Sequence, residues 1–248
     1  MSNVRSSVKT DASIYVFDMD GTLTPARLPM TAGFALKFEE WQKTHCSFIA
    51  TGSDYLKVQE QLPIDVINAF TGIYCSMGNV LISQGNVVHQ NEFIEPTELI
   101  SDLEAFRKNT QYTGPLFDNF VERRVGMINF SVLGRNCPYA ERDRYKAWDD
   151  IAKERIGIQA ILQKKYPELE ITVGGSISID ITPQGRGKGQ IAHQLRERYP
   201  DRQIVFFGDK TFSGGNDYEL ASELMKMENT RVVQVDGPEK VLEFLALA

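Results

Sequence analysis

The stretch Ile14-Tyr15-Val16-Phe17-Asp18-Met19-Asp20-Gly21-Thr22 decides the fold class of this chain. Its four apolar residues, bounded by polar ones, predict a buried β-strand from Ile14 to Phe17. Two aspartates, Asp18 and Asp20, follow that strand directly. Ligands of open α/β sheets bind beyond the carboxyl ends of the strands, so the carboxylates stand where a site is expected. One carboxylate can attack as a nucleophile and hold a hard cation, while the other moves a proton.

Two other interpretations of the aspartate pair are open at this point. It could be an Asp-rich turn without chemistry, or the start of a calcium-binding loop. A calcium loop of the EF-hand type needs its glycine at the sixth position. Gly21 is fourth when Asp18 is counted as the first, and no glutamate closes the loop in register. The calcium loop is therefore disfavoured.

The N-terminal and C-terminal parts of the chain both continue this pattern, with short apolar runs between helical segments. Further strands are predicted at 47–50, 204–207 and 231–235. Apolar residues at helical spacing lie between them, and Pro238 can open a last helix. Strands that alternate with helices predict an α/β fold with a parallel sheet covered on both faces.

The middle of the chain lacks that alternation. An extended run covers Met127 to Leu133, and two strand candidates surround Gly174-Gly175. A polar segment from Glu141 to Lys165 is predicted to be helical. These elements favour an α+β unit inserted into the α/β unit. We assign residues 1–87 and 187–248 to the core and 88–186 to the insert.

Composition excludes several classes of protein. The chain has 248 residues, 42% of them hydrophobic and 24% charged, as in ordinary globular proteins. Its apolar runs fall short of the ~20 residues of a membrane helix, and no signal peptide is visible at the start. A net charge of −6 argues against nucleic acid as partner. Three scattered cysteines give no disulfide or zinc pattern, so we expect a cytoplasmic protein.

Four short motifs together resemble those of the haloacid dehalogenase superfamily, whose members form a phospho-aspartate on a Rossmann-like core with the help of Mg²⁺. Asp18 to Thr22 resembles the first motif. The others resemble the second, third and fourth motifs in order: Thr51-Gly52-Ser53, Lys188, and Gly208-Asp209-Lys210-Thr211 continued by Gly214-Gly215-Asn216-Asp217. The resemblance implies that Thr51 holds the phosphoryl group, that Lys188 neutralises charge on it, and that Asp209 binds Mg²⁺.

The insert carries a run rich in arginine between Arg123 and Arg144. The arginine fork suits bidentate binding of phosphate. A solvated surface of ion pairs is the alternative, because Glu122, Glu141 and Asp143 lie among the arginines.

Three longer stretches, 126–137, 175–180 and 206–217, resemble eukaryotic-type α-phosphomannomutases. The resemblance implies a cap domain of the C2b type and a homodimer formed through the caps. Asp18 would be the nucleophile and Asp20 the general acid/base. Mg²⁺ would be bound by Asp18, the backbone carbonyl of Asp20 and Asp209. Substrate would be bound by Arg27, Arg124, Arg135, Arg142, Ser178 and Asp180.

The function expected from this resemblance is the interconversion of mannose 6-phosphate and mannose 1-phosphate, activated by a hexose 1,6-bisphosphate. Mannose 1-phosphate would feed GDP-mannose synthesis. A sugar-phosphate phosphatase with the same Asp18 intermediate is the alternative, and a non-catalytic sugar-phosphate binder fits the intact motifs least well. The segment Arg186-Gly187-Lys188-Gly189 departs from the mutase pattern, because a lysine between glycines is more typical of the related phosphatases.

Overall fold

The computed structural model describes residues 13–246, which form two sheets, each with its own helices. The chain first lays down most of the larger sheet. Its elements are β1 (Ser13–Phe17), α1 (Ala32–Gln42), β2 (Cys46–Ala50), α2 (Tyr55–Gln61), α3 (Ile64–Ala69), β3 (Gly72–Cys75), a 3₁₀ turn (Ser76–Gly78), β4 (Val80–Ser83) and β5 (Asn86–Gln90).

The smaller sheet and its helices come next, after which the chain returns to the larger sheet. The middle elements are α4 (Leu99–Lys108), β6 (Val121–Arg124), β7 (Met127–Phe130), α5 (Tyr139–Ala152), α6 (Glu154–Lys165), β8 (Leu169–Gly174) and β9 (Ser178–Pro183). The last elements are α7 (Gln190–Arg198), β10 (Gln203–Gly208), α8 (Tyr218–Met225), β11 (Thr230–Gln234) and α9 (Pro238–Ala246). We call the larger sheet with its helices the core, and β6 to β9 with α4 to α6 the cap.

The core sheet has the order β11-β10-β1-β2-β3-β4-β5, and its first five strands are parallel. The predicted α/β class is confirmed. Ile14 and Val16 of β1 point to one face, against α7 and α8, while Tyr15 and Phe17 point to the other, against α1, α3 and α9. Both faces are covered, which is why the strand is apolar throughout.

The cap sheet, β6-β7-β9-β8, is antiparallel and has one apolar and one polar face. Ile128, Phe130, Ile179 and Ile181 pack on the cap helices. Their neighbours along the strands, Asn129 and Asp180 among them, point to the opposite face because successive strand residues alternate. The polar face is turned toward the core.

Two predicted segments differ in detail from the structure. The helical segment 141–165 is two helices, since Lys153 adopts a left-handed conformation (φ 57°) that separates α5 from α6. The extended run from Met127 stops at Phe130, because Ser131 accepts a hydrogen bond from Gly134 in a turn. The division near residues 87 and 187 stays a prediction. Strand β5 carries the core sheet on to Gln90.

Candidate active site

Three strands of the core bring the predicted motifs to one edge. Adjacent parallel strands β10, β1 and β2 end side by side, and Asp209, Asp18 and Thr51 follow them directly. The backbone N–H of Asp18 donates to the carbonyl of Phe207 over 2.9 Å, so the nucleophile candidate is fixed by the sheet itself. These three side chains are therefore positioned by adjacent strands of the core sheet.

Lys188 lies between two buried carboxylates. Its Nζ is 2.7 Å from Asp18 Oδ1 and 2.5 Å from Asp217 Oδ1. Burial raises the pKa of Asp18 well above its usual range, and the Asp217 carboxylate raises it further, against the pull of Lys188. Burial works against the charge on Lys188 as well, but the two carboxylates raise its pKa above the ordinary value. The lysine is thus a fixed cation beside the candidate nucleophile.

The acidic cluster has the donor atoms of a cation site. Oxygens of Asp18, Asp209 and Asp217 lie within 4.8 Å of one another. Asp18 Oδ2 and Asp209 Oδ1 are buried, and neither has a hydrogen-bond partner within residues 13–246. A buried carboxylate oxygen without a partner is costly, and a hard cation with oxygen ligands would satisfy both atoms. The residues present therefore fit Mg²⁺.

Gly21 leaves the space that this cluster needs. Its φ of 89° is one that side chains disfavour, and a Cβ there would lie 2.5 Å from Asp209 Oδ2. Glycine is required at this position for both reasons.

Asp20 is held apart from the cluster by the loop after β1 and by α2. Its Oδ1 accepts hydrogen bonds from the backbone N–H of Arg27 (2.6 Å) and from Nε2 of Gln61 (3.0 Å). Gln61 is buried and also donates to Thr24 Oγ1, which ties α2 to the aspartate loop. Asp20 lines the cleft between core and cap, where a proton donor could reach a bound oxygen.

Thr51 closes the inner end of the cleft. Its Oγ1 accepts the backbone N–H of Ser53 over 3.1 Å, and the side chain is buried. The hydroxyl proton of Thr51 can then be donated elsewhere. The turn thus offers a hydroxyl donor beside Asp18.

A polar row crosses the cap sheet opposite the acidic cluster. Strand register pairs Glu122 with Asn129 and Asn129 with Asp180. Asn129 Nδ2 donates to Asp180 Oδ1, and Arg135 Nη1 donates to Asn129 Oδ1 (2.7 Å) and to Ser178 Oγ (2.9 Å). The row holds Arg135 and the predicted ligand Asp180 in one network.

The five arginines between Arg123 and Arg144 divide into two groups. Arg123 and Arg144 form exposed pairs with Glu95 and Glu141, as the surface interpretation expects. The predicted substrate ligands face the cleft instead: Arg124, Arg135 and Arg142.

Glu122 bridges Arg124 and Arg135 by ion pairs of 2.5 and 2.8 Å. Burial opposes its charge, but the two arginines lower the pKa of Glu122, so it stays ionised. Arg142 is 9% exposed, and its Nη1 is buried without a partner in the described chain. That nitrogen is free to bind an anion.

The cleft between core and cap has two compartments. The inner one, about 180 Å³, is lined by Asp18, Thr51, Arg124, Ser178 and Asp180 among others. The outer one, about 400 Å³, includes Arg142. Asp20, Arg27, Ser53 and Arg135 border both compartments. The structure thus brings the sequence-predicted residues around one cleft, with Lys188 and Asp209 behind its inner wall.

Direct hydrogen bonds seat the cap on the core. Arg124 Nη1 donates to the carbonyl of Gly52 over 2.7 Å, and Tyr139 Oη donates to the carbonyl of Arg27 over 3.3 Å. One predicted ligand thereby touches the second motif directly.

Sequence reasoning missed three residues of the site. Asp217 appeared only as the end of the fourth motif, although its place after Asn216 was a usable signal. Gln61 and Asn129 carried no signal of their own, because each acts through a contact between distant segments.

The fold is shared with solved phosphatases of the haloacid dehalogenase type. The fold matches the sucrose-phosphatase of Synechocystis sp. PCC6803 with a TM-score of 0.55 and 14% identity, over 95% of this chain and 97% of that one. It also matches the subclass IIB sugar phosphatase BT4131 with a TM-score of 0.56 and 16% identity, over 95% and 100%.

Sequence comparison narrows the class to one family. The profile of the eukaryotic phosphomannomutase family matches residues 35–246. A phosphomannomutase of Spinacia oleracea is 36% identical over 247 residues, 94% of each chain. One of Dendrobium officinale is 33% identical over 243 residues, again 94% of each. The chain belongs to the eukaryotic phosphomannomutase family and is an enzyme of that type. Within residues 13–246, no helix has the length and apolarity to cross a membrane.

Proposed function

We propose that this protein interconverts mannose 6-phosphate and mannose 1-phosphate through a phospho-aspartate at Asp18 and a hexose 1,6-bisphosphate. The observation that carries the proposal is the pair of opposed charge clusters in one cleft. Asp18 with Lys188 lies on the core side, and the guanidinium groups of Arg124, Arg135 and Arg142 lie on the cap side. A molecule with two phosphates, one at each end, matches that arrangement.

The core residues have separate roles in the transfer. The Asp18 carboxylate attacks phosphorus, and the bond from phosphorus to the sugar oxygen breaks. Asp20 gives that oxygen a proton and later takes one from the hydroxyl that attacks the phospho-aspartate. Lys188 and the Thr51 hydroxyl stabilise the negative charge on the phosphoryl oxygens. Asp217 keeps Lys188 in place.

The cation site would be formed by Asp18 and Asp209 with the backbone carbonyl of Asp20. Mg²⁺ bound there would neutralise charge between the carboxylate of Asp18 and the phosphoryl group. The two partnerless oxygens support this assignment, and the cluster as a whole supplies only oxygen ligands, which Mg²⁺ prefers.

The cap residues would hold the other phosphate and the sugar. Arg142 Nη1, buried and unpaired, is suited to a phosphate oxygen, and Arg27 and Arg135 reach both compartments. Ser178 and Asp180 would contact the sugar hydroxyls. Contacts that hold the cap on the core would exclude water and protect the phospho-aspartate.

A sugar-phosphate phosphatase is the second candidate function. One observation favours it: Lys188 stands between Gly187 and Gly189, unlike the mutase pattern. If that loop admits water to Asp18, the phospho-aspartate would be hydrolysed.

A phosphorus NMR time course decides between the two functions. The protein receives mannose 1-phosphate and Mg²⁺, with and without catalytic glucose 1,6-bisphosphate. We expect mannose 6-phosphate to grow only with the bisphosphate, with little inorganic phosphate. Inorganic phosphate without mannose 6-phosphate would establish the phosphatase instead, and no reaction of either kind would contradict both.

We also propose that the protein is a cytoplasmic homodimer joined through its caps, as the family resemblance implies. Light scattering coupled to size-exclusion chromatography tests the assembly. A mass near 28.0 kDa, that of one chain, would contradict the dimer.

A further inference from the structure

The loop that carries Lys188 is held by two acidic side chains from different units. Glu170 belongs to cap strand β8, and its Oε2 accepts the backbone N–H of Gly185 (3.2 Å) and of Gly187 (3.3 Å). Glu219 belongs to core helix α8, and its carboxyl accepts backbone N–H groups of Lys188 and Gly189. Hydrogen bonds to the N–H groups of four loop residues thus hold the backbone on both sides of the lysine.

The two carboxyl groups also contact each other. Burial and the neighbouring Glu170 carboxyl raise the pKa of Glu219 to about 7, and both carboxyl groups border the space beside Gly187. The contact joins the cap to the core at the point where the chain returns from one to the other.

The glycines of the loop are explained by this contact. A Cβ on Gly187 would lie 2.4 Å from Glu219 Oε2 and 2.7 Å from Glu170 Oε1. A Cβ on Gly189 would lie 2.7 Å from Glu219 Oε1. Any side chain at either position would displace the carboxyl groups from the loop. The two glycines, which depart from the mutase pattern, therefore leave the space that the carboxyl groups occupy.

The other side of the loop is equally fixed. The carbonyl of Arg186 accepts hydrogen bonds from Asn79 Nδ2 (3.0 Å) and Gln190 Nε2 (2.7 Å). Both amides are buried in the core. One side of the loop is thus anchored in the core, and the other side contacts the two glutamates.

We propose that Glu170 and Glu219 are positioning residues that place Lys188 on Asp18 only while the cap is seated. Glu170 belongs to the cap, so a displaced cap would withdraw its two hydrogen bonds from the loop and leave only the contacts of Glu219. The charge that stabilises the transferring phosphoryl group is then coupled to closure of the cleft. This inference rests on the Asp18 chemistry proposed above, whichever acceptor takes the phosphoryl group.

The first test compares Glu170→Ala with Glu170→Gln. Glutamine keeps an oxygen for the loop N–H groups and a donor for Glu219, whereas alanine keeps neither. We expect Glu170→Ala to lower kcat roughly ten- to a hundredfold with little change in KM, since Lys188 is misplaced but the arginines are intact. Glu170→Gln should recover most of kcat. Glu168→Ala, an exposed neighbour, is the control.

A second readout does not depend on turnover. Lys188 is 1% exposed, so reductive methylation followed by mass spectrometry should leave it unmodified while exposed Lys226 reacts. In Glu170→Ala we expect Lys188 to become reactive, and in Glu170→Gln to stay protected. If the wild-type enzyme were inactive on sugar phosphates, this result would still test the positioning.

Unchanged kcat together with full protection of Lys188 in Glu170→Ala would overturn the inference. Should that variant fail to fold, Gly187→Ala takes its place, because it displaces both carboxyl groups without removing either. In Gly187→Ala, a loss of kcat together with exposure of Lys188 would support the inference. If neither change occurs, the inference is overturned.

Discussion

At the scale of single residues, the site places charge where folding alone would avoid it. Asp18 is 2% exposed, one of its oxygens has no hydrogen-bond partner in residues 13–246, and Asp217 lies close by. Such groups cost stability and are kept for their chemistry. The neighbouring Lys188 recovers part of this cost, because it pairs with both carboxylates.

Asp18→Asn should abolish turnover without destabilising the fold. Burial raises the pKa of Asp18 above its value in the unfolded chain. The stability linked to its protonated form is therefore present below the unfolded pKa, about 4, and is lost as pH rises through the folded pKa. At pH 7 in EDTA, the Asp18→Asn variant has a neutral amide at this position, so it does not lose the stability that the wild type loses when Asp18 ionises. We expect a melting temperature equal to or above that of the wild type, with no product by NMR.

A clearly lower melting temperature for Asp18→Asn would show that the ion pair with Lys188 outweighs the burial of Asp18. Retained turnover would exclude Asp18 as the nucleophile.

Gly21→Ala should weaken Mg²⁺ binding at the proposed site in addition to straining the backbone. Its Cβ would meet Asp209, whereas a Cβ at Gly85, also at positive φ, would meet nothing within 4 Å. Both variants carry the backbone strain, about 1–2 kcal/mol. Only Gly21→Ala should raise the Mg²⁺ concentration for half-maximal activity, by roughly tenfold or more. Equal Mg²⁺ dependence of the two variants would argue that Asp209 is not a ligand.

At the scale of elements, a buried ion pair in the cap shapes the turn between β8 and β9. The helix break at Lys153 lets Arg155 turn back, so that its Nε lies 2.7 Å from Asp149 Oδ2. Its Nη1 donates to the carbonyls of Gly174, Gly175 and Ser178. The break that interrupts the predicted long helix thus supports a turn that borders the cleft.

Arg155→Ala should destabilise the protein by about 3–5 kcal/mol, because it leaves Asp149 buried and unpaired. Arg144→Ala, which removes an exposed pair with Glu141, should cost less than about 1 kcal/mol. Urea unfolding followed by circular dichroism measures both. A loss below about 1 kcal/mol for Arg155→Ala would mean that water replaces the lost partner at the turn.

The same scale shows what sequence can predict. Strand β1 and the motifs after β2 and β10 were found because an apolar run and the residue that follows it are local signals. The row of Glu122, Asn129 and Asp180 was not, since it depends on the register between strands that are distant in sequence, with Asn129 and Asp180 51 residues apart. The helix break at Lys153 was missed because lysine has no intrinsic preference for a left-handed conformation.

At the scale of the whole molecule, the cleft exists only between the two units. Asp18 is fixed by the core sheet, and Arg135 is fixed by the cap network. A ligand that spans both must therefore hold the cap and the core together. Small phosphate esters without a second anchoring group would contact only one side.

Arg135→Ala should weaken the binding of a hexose phosphate more than the binding of p-nitrophenyl phosphate. A charge-assisted contact is worth about 1.5–3 kcal/mol, so KM for mannose 1-phosphate should rise about ten- to a hundredfold. The ester, which lacks the distal phosphate, should show little change in KM. Parallel losses on both compounds would mean that Arg135 supports the fold of the cap rather than the ligand.

Glu122 is a built-in counter-ion for Arg124 and Arg135. An arriving phosphate meets Arg124 and Arg135 already paired with Glu122, so at these two guanidinium groups it gains less than it would from unpaired cations. When no phosphate is bound, Glu122 balances part of the positive charge of these two arginines. In the proposed reaction, substrate and product carry the same charge, and an enzyme that held both too tightly would be inhibited by its own product. The internal anion thus favours rapid exchange over tight capture.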